Sequence, residues 1–157
     1  MVCANINSPI GVLGLTADSE NLQSLRFMPA GTRLKSSRDP IINDVIEQLK
    51  HYFSDPLTLF SINPVNSGTQ YQSSIWAFLR TIPPGVCLTY GDISKAAGGS
   101  AQSVGNACRC NPMPIITPCH RVISASGLGG FSGQTSGRYM EIKSWLLEHE
   151  KQSISEN

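Results

Sequence analysis

The stretch P-I-I-T-P-C-H-R-V-I, from Pro114 to Ile123, places one cysteine on a constrained backbone. Its two prolines restrict φ and keep the chain out of a helix before Cys119, and the β-branched pair that ends it predicts a short buried strand. Cys119 is followed at once by His120, an ionisable base, and by Arg121, a permanent cation. An unperturbed thiol is only about 3% ionised at pH 7. Lowering its pKa to 7 takes about 2 kcal/mol, which one imidazole partner can supply. The pattern therefore predicts a nucleophilic cysteine, whereas composition alone favours a small buried core residue.

A longer run around this stretch, N-P-M-P-I-I-T-P-C-H-R-V-I from Asn111 to Ile123, resembles the active-site signature of the O6-alkylguanine-DNA alkyltransferases, also called methylated-DNA–protein-cysteine methyltransferases. The resemblance extends from about Gly68 to Glu150, and more faintly over the N-terminal third. It implies DNA repair by an enzyme that acts once. A methyl or larger alkyl group passes from O6-alkylguanine, with O4-alkylthymine as a second candidate, to Cys119. The expected partner is double-stranded DNA, and no metal or organic cofactor is expected because the thiolate is itself the acceptor.

Other classes of function stay open at this point. A non-catalytic lesion sensor of the same fold would bind alkylated DNA without repairing it, although such relatives lack the acceptor cysteine that is present here as Cys119. A helix-turn-helix regulator would bind a defined DNA sequence. A Cys-His hydrolase would turn over and would need an oxyanion hole and an acyl substrate.

The composition indicates an intracellular protein that is not strongly basic. Of its 157 residues 40% are hydrophobic, which is enough for a core. It has neither a run of about eighteen apolar residues nor a signal-peptide pattern, so no membrane association is expected. Five cysteines at irregular spacing argue against a disulfide framework and for a reducing location, cytoplasmic or nuclear. The net charge of +1 and the pI of about 7.6 predict few phosphate contacts and a shallow salt dependence. We expect a monomer.

Strand, turn and helix signals together predict an α+β fold in two domains. Residues 1–65 are expected to form a small β-rich domain, ribonuclease-H-like by the resemblance, and residues 66–157 a mostly helical domain. Asp39-Pro40 is typical of an N-cap followed by an N1 proline, and Asp55-Pro56 ends the helix that begins there. A last amphipathic helix is predicted over 142–150. The predicted strands of the first domain cover 2–6, 10–15, 22–27 and 57–62.

Two short helices across a glycine turn predict a helix-turn-helix. The first is predicted over 89–97 and a serine-capped second over 101–110, after Gly98-Gly99. An earlier helix, over 70–81, places Trp76 in the core. The small side chains of the second helix suit either core packing or close approach to a narrow groove, and the resemblance implies the DNA minor groove. It also implies DNA or substrate contacts for Ala101, Gln102, Ser103, Arg109, Pro114, Arg121, Val122, Phe131 and Ser132.

The resemblance further implies a set of catalytic roles. Glu150 orients His120, which takes the proton of Cys119. Tyr90 protonates the departing guanine. Asn111 bonds the network near the thiol.

Gln102 departs from the family pattern. The family usually has an arginine here, within an A-x-R-A-V-G run, where this chain has S-A-Q-S-V-G. The family arginine fills the gap left by the extruded nucleotide. Because glutamine lacks the charge and the reach of arginine, we hypothesise that base flipping is less favourable in this protein.

Overall fold

The computed structural model describes residues 1–62, 65, 67–131 and 137–155, and the chain divides into two compact units, Met1–Val65 and Asn66–Asn157. The first unit contains a small antiparallel sheet and one helix, and the second is mostly helical. This order of elements confirms the predicted α+β class. The linker signal over 63–68 falls partly outside the described residues.

Three strands form the sheet of the first unit: β1 (Val2–Ile6), β2 (Leu13–Ala17) and β3 (Leu22–Phe27), antiparallel and in the order β1-β2-β3. The second strand begins later than the predicted residue 10 because a turn occupies that position. The Ser8 hydroxyl donates to the Gly11 carbonyl over 2.6 Å, and Gly11 has a φ of 106°. Only glycine adopts such a φ without strain, so the turn is fixed locally.

Helix α1 (Pro40–Ser54) packs on β1 and β2 with one apolar stripe. Asp39 is its N-cap: the carboxylate accepts from the backbone N–H groups of Ile41 and Ile42 over 3.0 and 3.1 Å. The predicted cap is therefore confirmed. The side chains buried by the helix recur at helical spacing: Ile42, Val45, Leu49 and Tyr52.

The strand predicted over 57–62 is wrong. This segment is bonded to α1 rather than to a neighbouring strand. The Ser61 N–H donates to Gln48 Oε1 over 2.9 Å, and the Thr58 hydroxyl lies 2.6 Å from His51 Nδ1. Leu59 is 80% exposed. Apolar residues gave a false strand signal here because strand propensity does not show whether a partner strand is available.

In the second unit, α2 (Gln70–Leu79) precedes the two helices of the helix-turn-helix, α3 (Tyr90–Ala97) and α4 (Ala101–Arg109), which confirms that motif. All three helices begin with a capping box, in which the N-cap side chain and the third helical residue bond each other's backbone. This device fixes where each helix starts. The pairs are Thr69 with Gln72, Thr89 with Asp92, and Ser100 with Ser103.

Two aromatic side chains of α2 hold the helix-turn-helix in place. The Trp76 indole is buried, as predicted, and its N–H donates to a backbone carbonyl of α4 over 2.8 Å. The Tyr71 hydroxyl donates to the Gly98 carbonyl over 3.0 Å and lies 2.9 Å from the Ser103 hydroxyl. Gly99 has a φ of 79°, and a Cβ at this position would overlap the Tyr71 hydroxyl. The turn therefore requires glycine for two reasons, its backbone conformation and its lack of a side chain.

The cysteine stretch lies between a short sheet and the last helix. β4 (Leu88–Thr89) pairs in parallel with β5 (Val122–Ile123), which confirms the predicted short strand. A 3₁₀ turn over Cys119–Arg121 precedes β5, and α5 (Arg138–Ser155) packs on that turn. This arrangement brings residues near the end of the chain to the thiol.

Candidate active site

Cys119 opens the 3₁₀ turn and is 5% exposed, so its thiol lies inside the second unit. The loop before it is held by Asn111, whose amide donates to the Thr117 carbonyl over 2.8 Å and accepts from the Met113 N–H over 3.0 Å. Arg80, at the end of α2, donates from Nε to the Thr117 hydroxyl over 3.0 Å. Two separate elements therefore fix the backbone that presents the thiol.

The same loop contains one residue in a strained conformation. Ile115 has a φ of 76°, although it is β-branched and 1% exposed. Such a backbone costs about 1–3 kcal/mol and persists only where the surroundings impose it. The sequence could not predict this feature, because a positive φ is expected at glycine or asparagine. Its place beside the cysteine is typical of a functional constraint on geometry.

Burial raises the pKa of the Cys119 thiol, while the hydrogen bond from the Asn111 side chain and the charge of Lys143 lower it. The net shift is upward, so the thiol is protonated at rest at neutral pH. This differs from the simple expectation that an adjacent imidazole ionises it. The thiolate therefore has to form by proton transfer within the site, where Asn111 and Lys143 are already placed to stabilise its negative charge.

His120, Arg121 and Glu150 form a buried network that joins the cysteine turn to α5. The Glu150 carboxylate lies 2.8 Å from His120 Nε2 and accepts from Arg121 Nε and Nη2 over 2.9 Å each. Arg121 Nη1 donates to the Ile82 carbonyl over 2.5 Å. Because a two-pronged guanidinium–carboxylate pair fixes both distance and direction, it orients Glu150 toward the imidazole.

The protonation states follow from this network. Burial opposes the charge of Glu150, but hydrogen bonds from His120 and Arg121 prevail and hold the pKa of the carboxyl well below its ordinary value. Burial lowers the pKa of His120 despite the opposing effect of Glu150, so the ring is neutral at rest. An ionised carboxylate can only accept, which puts the ring proton on Nε2 and a lone pair on Nδ1. Among the described residues Nδ1 has no hydrogen-bond partner, so it is available as a base.

Tyr90, the first residue of α3, has its ring between two glycines. A Cβ on Gly105 would lie 3.8 Å from the ring, and one on Gly129 would lie 3.0 Å from it. A Cβ on Gly129 would also lie 3.1 Å from the Tyr90 hydroxyl, so the glycines of this loop border the phenol oxygen. Burial raises the pKa of this phenol. The hydroxyl therefore remains a proton donor at neutral pH.

Lys143 is a site residue that the sequence analysis missed. It lies on α5 and is fully buried. Its Nζ donates to the carbonyls of Val122, Leu128 and Gly130 over 2.7, 2.5 and 2.9 Å. A lysine in an amphipathic helix is normally solvated, so the residue type does not predict that this side chain is buried. The one available signal is spacing, since position 143 shares a helix face with Glu150, two turns later.

The helix α4 presents several of the predicted DNA contacts at the surface. Ser103 is an exception because its hydroxyl is used in the helix cap: it donates to the Ser100 carbonyl over 2.9 Å and accepts from the Ser100 N–H over 2.8 Å. Asn106 was missed by the sequence analysis and is exposed one turn beyond Gln102. The exposed predicted contacts are Ala101, Gln102 and Arg109.

Four other predicted contacts are buried: Pro114, Arg121, Val122 and Phe131. A direct DNA contact by Arg121 is a wrong prediction, because its guanidinium is used inside the protein to hold Glu150. Val122 has a fully buried side chain in β5, and its carbonyl accepts from Lys143. Its contact with DNA or substrate stays a prediction. Ser132 lies outside the described residues.

The second unit combines a helix-turn-helix with a buried thiol, an imidazole and a carboxylate. This combination is typical of a DNA-binding protein with a nucleophilic cysteine. A family model described as "6-O-methylguanine DNA methyltransferase, DNA binding domain" matches residues 70–152, which contain all of these features. The methylated-DNA–protein-cysteine methyltransferase of Methanosarcina acetivorans is 36% identical, over 96% of this chain and 98% of that protein. The one from Mycobacterium tuberculosis is 39% identical, over 93% of this chain and 90% of that protein. The chain belongs to the methylated-DNA–protein-cysteine methyltransferase family, and the resemblance carried by the cysteine signature is confirmed.

Solved structures agree with this assignment. The O6-methylguanine methyltransferase of M. tuberculosis superposes with a TM-score of 0.80 at 35% identity, over 95% of this chain and 92% of that one. A structure of M. tuberculosis OGT in complex with DNA gives the same TM-score at 36% identity, with the same coverage. Across the part of the chain that the structure describes, no helix is long and apolar enough to cross a membrane.

Proposed function

We propose that this protein repairs DNA by transferring a methyl or larger alkyl group from O6-alkylguanine to Cys119, once per molecule, with O4-alkylthymine as a second substrate. The arrangement around the thiol carries the proposal. Asn111 fixes the loop before Cys119 and lowers the pKa of its thiol. The adjacent His120 lies 2.8 Å from Glu150 through one ring nitrogen, while its other nitrogen is unpartnered among the described residues. Membership of a family whose proteins are named for methylated DNA and a cysteine acceptor supports the same conclusion.

The transfer begins with a proton. His120 Nδ1 takes the proton of Cys119, directly or through water, and Glu150 stabilises the imidazolium that forms. The thiolate then attacks the alkyl carbon from the side opposite O6. The S–C bond forms as the C–O6 bond breaks, and the electron pair of the broken bond stays on guanine. The product is a thioether, which water does not cleave, so each molecule acts once.

Tyr90 completes the proton balance. Its hydroxyl donates a proton to the departing guanine and then takes one from the His120 imidazolium. In sum, the thiol loses one proton and guanine gains one. The raised pKa of Tyr90 supports this role because it keeps the phenol protonated until the leaving group needs it. No further reactant is required.

We also propose that α4 enters the minor groove and that the damaged nucleotide is flipped out to reach the thiol. Two observations support this. The thiol is 5% exposed, so a base inside a duplex could not approach it. The helix has a small, uncharged beginning at Ala101 and one exposed face with Gln102, Asn106 and Arg109. The DNA complex of the M. tuberculosis relative supports DNA as the partner.

The two units are proposed to have separate roles as domains of one intracellular monomer. The described site residues all belong to Asn66–Asn157, which holds the helix-turn-helix and the thiol. Met1–Val65 contains none of the predicted site residues, and we assign it a supporting role.

Mass spectrometry after incubation with a duplex that contains one O6-methylguanine tests the proposed function. We expect one methyl group on the Cys119 peptide, one equivalent per protein molecule, and restored guanine in the DNA. Cys119→Ala should show no transfer. The matched control is Cys3→Ala, which removes an exposed cysteine of the first unit and should react like the wild type. Binding of the duplex by folded wild-type protein without transfer would favour the lesion-sensor alternative, and repeated turnover would favour a hydrolase.

A further inference from the structure

Thr117, two residues before the nucleophile, is hydrogen-bonded through its hydroxyl, its carbonyl and its N–H. The side chain is 1% exposed, and its hydroxyl accepts from Arg80 Nε over 3.0 Å. The carbonyl accepts from the Asn111 amide and from the Cys119 N–H, each over 2.8 Å. The Thr117 N–H donates to the Met113 carbonyl over 2.8 Å. The position of Thr117 is therefore fixed from several directions.

The connection from Thr117 to the thiol is a tight turn. Pro118, which lies between the two residues, has a φ of −82° and a ψ of 69°, and the Cys119 N–H bonds the Thr117 carbonyl. These torsions and this bond define an inverse γ-turn. The proline ring restricts φ by itself. A displacement of Thr117 therefore displaces Cys119 as well.

The loop over 111–118 depends on contacts from outside to keep this geometry. Ile115 has a φ of 76°, a strained conformation that persists only where the surroundings impose it. Among the described residues, one hydrogen bond reaches 112–118 from a distant element, and it is the bond from Arg80 to Thr117. Packing of apolar side chains is not directional, whereas a hydrogen bond is. The Arg80 contact therefore supplies the directional constraint.

Arg80 is the last of three α2 side chains that bond other parts of the second unit. Tyr71 bonds the turn of the helix-turn-helix, and Trp76 donates to the Ala107 carbonyl on α4 over 2.8 Å. At a rise of 1.5 Å per residue, the three positions lie within about 14 Å along one helix. The helix that holds α4 in place therefore also holds the loop of the nucleophile.

We propose that Arg80 is a positioning residue for alkyl transfer: through the Thr117 hydroxyl it sets the place of the Cys119 thiol relative to α4. The inference rests on the proposed function and extends it to a residue outside the predicted site. Displacement at carbon requires the sulfur to lie in line with the bond that breaks, and a misplacement of about 1 Å can slow a reaction about a hundredfold. Because α4 is proposed to engage the damaged DNA, a thiol that is tied to α4 through α2 is correctly placed when the flipped base arrives.

The alternative is that Arg80 acts only on its own helix, since a cation at the end of a helix interacts favourably with the helix dipole. Thr117→Val separates the two possibilities. It removes the hydroxyl, nearly keeps the shape of the side chain and leaves the charge of Arg80 in place. Arg80 is half-buried, so water can reach its guanidinium in that variant.

Single-turnover methyl transfer tests the proposal, measured over a range of concentrations of a duplex with one O6-methylguanine. Thr117→Val should lower the saturating rate about tenfold or more, because the thiol is misplaced. The half-saturating duplex concentration should stay within about twofold, because α4 is unchanged. Thr117→Ser keeps the hydroxyl and should restore most of the rate. The matched control is Thr81→Val, which removes an exposed hydroxyl that bonds the Phe78 carbonyl of its own helix, and it should react like the wild type.

Arg80→Met removes the other half of the same contact. Combined with Thr117→Val, it should be no slower than the slower single variant, because both changes remove one interaction. A contact that serves stability alone would lower the urea midpoint and leave the saturating rate per folded molecule unchanged, which would overturn the proposal. Losses that multiply in the double variant would also overturn it.

Two further outcomes are separated by the same experiment. If Thr117→Val does not fold, Arg80→Met tests the contact from its half-buried side, and a wild-type saturating rate in that variant would refute the inference. Absence of transfer by the folded wild type would refute the proposed function, and the inference with it. Transfer by the wild type at the same saturating rate as by folded Thr117→Val would refute the inference alone.

Discussion

Replacing Glu150 with glutamine keeps the shape of the side chain and removes its charge from the centre of the buried network. The glutamine oxygen can accept from Arg121, but its NH₂ group then faces a donor, either His120 Nε2 or the second guanidinium nitrogen. The wild-type carboxylate has 2.8–2.9 Å contacts with all three of these nitrogens, and it is fully buried. The substitution therefore leaves the Arg121 guanidinium as a buried cation without a counter-charge.

Removing one partner of a buried ion pair costs about 3–5 kcal/mol, because the remaining charge stays desolvated. For a chain of this size that loss lowers the melting temperature by roughly 6–20 °C. Glu148→Gln is the matched control, since Glu148 is exposed on the same helix, and it should change stability by less than about 0.5 kcal/mol. Urea titration at neutral pH measures the differences in the free energy of unfolding. Thermal denaturation measures the change in melting temperature.

A double-mutant cycle decides whether the cost arises from the pair itself. Arg121→Met removes the guanidinium and, alone, takes away the partner that holds the Glu150 carboxylate through two contacts of 2.9 Å. If the ion pair is the cause, Arg121→Met combined with Glu150→Gln costs at least about 2 kcal/mol less than the sum of the single changes. Additive losses, or a folded Glu150→Gln protein that is as stable as the wild type, would refute the reasoning.

Three further outcomes are expected. The pKa of Glu150 is lower in the folded protein than its ordinary value of 4.5, so the carboxylate stabilises the fold above pH 4.5 and loses this effect as the pH falls below that value. The acid-induced loss of stability should therefore be smaller in Glu150→Gln when urea midpoints are compared across pH. Gly99→Ala should destabilise the protein by more than Gly98→Ala, since both have positive φ but only the Gly99 methyl would meet Tyr71 and Ser103; equal urea midpoints would contradict this. Gln102→Arg should tighten binding of a lesion-bearing duplex or speed methyl transfer, measured by titration and quenched-flow single turnover, and no change in either would remove the base-flipping hypothesis.

Local chemistry made much of the fold predictable. Asp39 before a proline, and Ser100 after two glycines, mark helix starts because their side chains accept from the first backbone N–H groups of the helix. The apolar stripe of α1 follows from its period. The strand predicted over 57–62 failed because its neighbours are side chains of α1, and no pattern within six residues reports on a partner elsewhere in the chain.

The candidate site was predictable only as far as the motif reaches. Cys119 and His120 are adjacent in sequence, and the resemblance supplied Glu150, but the geometry that joins them spans 30 residues. The resemblance assigned Arg121 to the DNA or substrate contacts, whereas the fold turns it inward onto a carboxylate that the sequence could not place beside it. Lys143 was missed for the same reason. Its acceptors are backbone carbonyls, which every residue has, so no residue type in the sequence identifies them.

The buried charges explain how a thiol whose pKa is raised by burial can still serve as a nucleophile. Arg121 and Lys143 are two fixed cations and Glu150 is one fixed anion, so the interior around Cys119 holds one positive charge in excess while the thiol is protonated and His120 is neutral. Moving the thiol proton to His120 creates an anion that Asn111 and the charge of Lys143 favour, and a cation whose ring lies 2.8 Å from the Glu150 carboxylate. Glu150 stabilises the imidazolium against the opposing charges of Arg121 and Lys143, and none of these groups has to move. The protein therefore keeps the thiol protonated and protected by burial, and still retains the electrostatic means to ionise it when an alkyl group is in position.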